Sequence, residues 1–179
     1  MKLIARTGVL LALPLALAAG IWAQTVPPDC KILYDAEDKL LITPHHGFNK
    51  RTADSTKAKV DVSESIFANG AFYVLARGEW RKSSLTIDEM RQQAIENRKN
   101  ARNISCKFLR DETVDGAAAR VFQAHFETED AKSDATLWIS KSTGLPLKQE
   151  QDTGLGGAAE KSHMSIRYEY SNVSAPAVH

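Results

Sequence analysis

The side chains best able to do chemistry in this chain are two adjacent histidines, two small groups of acids and a single pair of cysteines. His45 and His46 could each ligate a metal, but neighbours in a chain do not place two rings on one side of a helix or strand, and no third ligand accompanies them. Asp111, Glu112 and Asp115 crowd one hairpin end, and Glu127, Glu129 and Asp130 another. Carboxylates at loop ends can bind calcium, and they equally serve as solvated turn residues, the reading favoured here. His125 falls within a strand and reads as a hydrogen-bonded sheet residue, and His163 borders a glycine-rich loop and reads as solvent-facing. The chain contains no G-x-S-x-G elbow, H-E-x-x-H pair, phosphate-binding loop, C-x-x-C or dinucleotide fingerprint. We therefore expect no catalytic residues, no metal and no cofactor.

Cys30 and Cys106 make an even pair. In an oxidising compartment such a pair reads as a disulfide; free thiols or a metal are the alternatives. Lipidation of Cys30 is disfavoured, because Pro27, Pro28 and Asp29 precede it where small and apolar residues would be required.

The compartment follows from the first 23 residues. Lys2 and Arg6 are followed by the apolar run Val9 to Ile21 and a small residue, Ala23. This is the pattern of a secretory signal peptide, and the run is too short for the ~20 residues of a membrane-spanning helix. We expect residues 1–23 to be a signal peptide and 24–29 a leader. Residues 30–171 then form one domain and 172–179 a loose tail. The expected fate is export, with no integral membrane segment in the mature chain. The 23 basic and 22 acidic side chains nearly cancel, so no strong field steers the chain to nucleic acid.

The elements that must position these residues are read from periodicity. Asp29 can cap a helix starting near Cys30, whose apolar stripe of Leu33, Tyr34, Leu40 and Leu41 is interrupted by Glu37 and ended by Pro44. Residues 45–56 are polar and read as loop. Two runs around Asn69-Gly70 form a hairpin, for which a two-residue turn predicts Ala68 opposite Ala71, Phe67 opposite Phe72, Ile66 opposite Tyr73 and Ser65 opposite Val74. The second run, AFYVLARGEW, is read as one strand that puts Phe72, Val74 and Trp80 on a common face. Thr86-Ile87-Asp88-Glu89 is a capping box that starts a second, amphipathic helix bearing Met90 and running to about residue 101. Five further strands at hairpin spacing follow Asn103, interrupted by the turns at Asp115-Gly116 and Thr143-Gly144 and by the loop GLGGAAEKS.

The order of these elements resembles the LolA/LolB-like lipoprotein-carrier superfamily. The most telling stretch is Ala135 to Glu150, ATLWISKSTGLPLKQE, a strand with Trp and Ile, a Thr-Gly turn and then Leu-Pro-Leu. The resemblance implies an α+β domain: a curved antiparallel β-sheet, an incomplete barrel of about seven strands, with two helices on its concave face. It implies the periplasm as the location, and an apolar interior that accepts acyl chains and supplies no catalytic residues. Two thin helices cannot shield all the apolar surface of such a sheet, so the expected function is an exported, non-catalytic binding protein for an acyl chain, lipid or other apolar ligand. The expected wall is Phe72, Val74, Trp80, Met90 and Trp138. The alternative is an envelope interaction module with a filled core, a protein partner and no small-molecule ligand.

Overall fold

The computed structural model describes residues 27–53, 60–155 and 161–178. The expected signal peptide, most of the leader and residues 156–160 of the glycine-rich loop lie outside the described residues.

Helix α1 (Pro28–Leu40) opens the domain. Its first residue is proline, which has no N–H to leave unpaired and a φ already suited to a helix. Asp29 therefore lies in the first turn and is not the cap. Its carboxylate accepts a bond from the Phe108 N–H at 3.1 Å, across 79 residues of sequence. Strands β1 (His45–Ala53), β2 (Val60–Ala68), β3 (Ala71–Ala76) and β4 (Glu79–Lys82) come next, then α2 (Ile87–Asn100). Strands β5 (Arg102–Val114), β6 (Ala117–Glu127), β7 (Ala131–Ser140), β8 (Pro146–Leu155) and β9 (Lys161–Glu169) complete the fold. The nine strands of the described residues form one open, curved antiparallel sheet in the order β4-β3-β2-β1-β9-β8-β7-β6-β5.

The Asn69-Gly70 hairpin has the predicted register at all four pairs. Both turn residues have positive φ, as a type I′ turn requires. The capping box is also present: the Thr86 hydroxyl accepts from the Glu89 N–H at 3.2 Å, and the Glu89 carboxylate accepts from the Thr86 N–H at 2.8 Å.

Two strands depart from the sequence reading and raise the count from about seven to nine. Residues 45–53, expected to be loop, form β1, which sits between β2 and β9 and joins the N-terminal meander to the C-terminal one. Its composition shows no apolar alternation because only His45 and Gly47 are buried. The second departure is a turn at Arg77-Gly78, both at positive φ, that folds AFYVLARGEW into β3 and β4. Trp80 then lies opposite Leu75 and not on the face of Val74.

The core has three parts. On the helix-bearing face, Leu33 and Ala36 of α1 pack against Phe122 and Ile139. On the opposite face, Trp138 packs with Ala119 and Val121. Also on that face, Ile66, Ala68 and Tyr73 are covered by Trp80 and by Val173 and Ala175, so the C-terminal segment expected to be loose is packed there.

Candidate functional site

The sheet presents to the helices a floor that α1 only partly covers. The Cys30–Cys106 disulfide anchors the start of α1 to β5, with Cα atoms 5.1 Å apart. Near its other end, Lys39 Nζ donates to the Thr143 carbonyl in the β7–β8 turn at 3.2 Å. Pinned at both ends, α1 lies across β5 to β8, with Leu33 and Ala36 turned down to the sheet and Tyr34 and Glu37 turned toward α2. Glu37 interrupts the apolar stripe because it serves this second contact.

Helix α2 has no buried side chain. It is held to α1 mainly through Arg98, whose Nη2 donates to Glu37 at 2.6 Å and Asp38 at 2.8 Å. The guanidinium also lies 4.5 Å from the centre of the Tyr34 ring. Its Nε is buried and has no hydrogen-bond partner among the described residues.

Between α1, α2 and the sheet runs a cleft of about 450 Å³. Leu33, Ala36 and Leu40 line it from α1, and Ala94, Asn97 and Arg98 from α2. Its floor is apolar on β6 and β7, where Ala124, Phe126, Ala135, Leu137 and Ile139 face it. On β8 the floor becomes polar, through Gln149 and Gln151. These amides form a chain: Gln149 Nε2 donates to Gln151 Oε1 at 3.0 Å, and Gln151 Nε2 donates to the Ser133 hydroxyl at 2.8 Å. Nearby on the same face, Tyr168 is held neutral, its phenol pushed well up by burial and then by the negative charge of Glu37.

The structure brings none of the five expected wall residues into this cleft. Phe72 is on the helix-bearing face but in a separate aromatic cluster, 4.8 Å from Phe67 and 5.8 Å from His45 between ring centres. Val74 shares that face near the β4 edge and is exposed. Trp80 and Trp138 face the other way, Trp138 beneath Lys148 Nζ at 4.5 Å. Met90 is on α2, one turn before the residues that meet the cleft. The strand alternation of β8 carried a signal for the residues missed: Lys148, Glu150 and Asp152 are charged while Gln149 and Gln151 between them are neutral amides. Arg98 had no such signal, since a basic residue near a helix C-terminus is ordinary.

The histidines are accounted for by packing and pairing. His45 is buried among Phe67, Phe72, Tyr168 and Tyr170, with Nδ1 2.8 Å from the Thr43 carbonyl. His46, on the opposite face as adjacent strand residues must be, meets Glu64 at 2.8 Å. His125 meets Asp134 and His163 meets Asp152, each at 2.8 Å. Among the described residues, no three His, Cys, Asp or Glu side chains are grouped to hold a metal, and no helix is long and apolar enough to cross a membrane.

No protein-family profile and no curated protein matches the chain. Solved structures similar to it include the Mycobacterium tuberculosis lipoprotein LppX, at 10% identity and a TM-score of 0.49 over 85% of this chain and 100% of that one. LprF from Mycobacterium bovis is similar at 13% identity and a TM-score of 0.40, over 86% and 96% of the two chains. A LolA superfamily protein from Nitrosomonas europaea is similar at 10% identity and a TM-score of 0.28, over 83% and 96%. What the cleft can hold follows from its own lining.

Proposed function

We propose that the chain is an exported, periplasmic, non-catalytic binding protein that takes an acyl chain or similar apolar ligand into the cleft between α1, α2 and β5 to β8. The observation that carries this reading is the apolar cleft of about 450 Å³, within the ~300–1,000 Å³ range of small-molecule sites. Affinity comes from removing ligand methylenes from water, about 0.8 kcal/mol for each one fully buried, less the cost of ordering the ligand. The charged groups beside the cleft are engaged with one another, Arg98 with Glu37 and Asp38, and this favours a binding role over acid–base chemistry. Export is supported by the signal-like residues 1–23, and the Cys30–Cys106 bridge suits an oxidising compartment.

The alternative, an interaction module with a filled core, fits less well with the space left between sheet and helices. The test is to purify the protein from its native compartment, extract it, and identify bound lipid by mass spectrometry, alongside uptake of an environment-sensitive apolar fluorophore. Co-purifying lipid with saturable uptake is the expected result. No lipid and no uptake would overturn the proposal.

A further inference from the structure

Resting on the binding reading above, we infer that the cleft selects an amphiphile with an uncharged, hydrogen-bonding head, of the acyl ester or acyl amide class, and discriminates against free fatty acids and phosphate-headed lipids. The polarity of the floor sets the shape of such a ligand. Hydrocarbon is accommodated over β6 and β7, where Ala124, Leu137 and Ile139 present no polar side-chain atom. One strand further, Gln149 and Gln151 present neutral amides. Gln151 is committed at both ends, accepting from Gln149 and donating to Ser133 and Thr153. Gln149 is the open end of this chain, since its side-chain oxygen has no partner among the described residues. A head lying over β8 meets that oxygen and the second N–H of the same amide.

The charge balance decides the kind of head. Arg98 lines the cleft, but its Nη2 is held by two carboxylates, so the cluster of Arg98, Glu37 and Asp38 carries one surplus negative charge. His125, between the floor residues Ala124 and Phe126, turns its ring to the other face of the sheet, where Nδ1 meets Asp134, and so brings no charge into the cleft. An ionised carboxylate or phosphate entering here would lose water, find among the described lining residues no cation that is not already paired with carboxylates, and face surplus negative charge, which is costly in a largely apolar site. A carbonyl or hydroxyl oxygen incurs no such penalty. It can accept from the second N–H of the Gln149 amide, of which only one N–H is engaged, with Gln151.

The test varies the head on one acyl chain. N-phenyl-1-naphthylamine is bound to the purified full chain and displaced by 1-monodecanoylglycerol, methyl decanoate, sodium decanoate or decanoyl lysophosphatidate, at about pH 8, where a fatty carboxylate is ionised. Monodecanoylglycerol is expected to displace the probe at a concentration about tenfold or more below that of decanoate, with methyl decanoate between them. Glu37→Gln, which removes the surplus negative charge, should narrow the gap from the decanoate side, and Gln149→Leu should narrow it from the monodecanoylglycerol side. Each comparison is a ratio within one protein, and if either variant fails to fold, the unmodified chain with four heads still decides. Decanoate or the lysophosphatidate competing as well as monodecanoylglycerol would overturn the head-group inference while leaving the apolar cleft in place. Failure of the naphthylamine itself to bind would overturn the binding reading and this inference with it.

Discussion

Arg98 of α2 and Glu37 of α1 meet at 2.6 Å, with the Arg98 side chain about one-fifth exposed and Glu37 about half exposed. This contact, with Asp38 and the Tyr34 ring beside it, is the principal tie between a helix with no buried side chain and the rest of the molecule. The cleft has an outer wall because this tie holds α2 beside α1.

Removing the tie should loosen α2 selectively. Arg98→Met keeps much of the aliphatic stem and deletes the charge, leaving Glu37 and Asp38 to water. We expect a global stability loss of only about 1 kcal/mol, since the carboxylates are half exposed and screened. Amide hydrogen exchange should accelerate across residues 87–100 far more than across α1. Uniform acceleration in both helices would contradict the assignment of Arg98 as the tie.

The Cys30–Cys106 bridge closes a span of 76 residues. Chain-entropy arguments give about 4–5 kcal/mol for a loop of that size as a ceiling, and typical bridges deliver about 2–4. The double variant Cys30→Ser/Cys106→Ser should lower the urea midpoint correspondingly, and reductant should lower it in the parent protein but not in the variant. Because the bridge pins the start of α1 to β5, the variant should also bind apolar fluorophores more weakly.

His45 should make the protein acid-sensitive. Burial among aromatic rings lowers its pKa in the folded state, opposed by its bond to Thr43 and assisted by the neighbouring His46. The native state therefore binds fewer protons than the unfolded chain once the pH falls below the unfolded value of about 6.5. The stability this neutral histidine carries is fully present above about pH 6.5 and is lost on acidification, at no more than about 1.4 kcal/mol per pH unit, until the folded-state pKa is passed. His45→Gln should be less stable at neutral pH but lose less between about pH 7 and pH 5. Urea titrations of both proteins across that window check the difference, and parallel slopes would remove His45 from the account.

Filling the cleft should abolish uptake without unfolding the protein. Ala94 is half-buried on α2 and faces the space between the helices and the sheet. Ala94→Trp places an indole there from a helix that contributes nothing to the buried core, so melting should shift by only a few degrees, about the scale of a surface change. Fluorophore uptake should fall by about tenfold or more. Undiminished uptake would place the ligand elsewhere, with the aromatic cluster of Phe67, Phe72 and Tyr168 the next surface to test.

What the amino-acid sequence determined by itself is what depends on neighbours along the chain. Asn69-Gly70 needs only its own φ preferences to set a turn, and with it the four-pair register of β2 and β3. Thr86 and Glu89 need only one helical turn to cap each other. The two cysteines, as an even pair behind a signal-like segment, announced their bridge. What the tertiary structure alone decided depends on partners far away. His45 to Ala53 is a strand because β2 and β9 offer backbone groups on both sides of it, and a polar segment flanked in this way needs no apolar alternation. The turn at Arg77-Gly78 sends Trp80 to the face opposite Val74, because side chains alternate along a strand and a reversal of the chain resets which of them share a side. The cleft follows the same logic: Arg98, Gln149 and Leu33 are neighbours only after α1 is fastened to β5 and α2 to α1, a closeness no local pattern encodes.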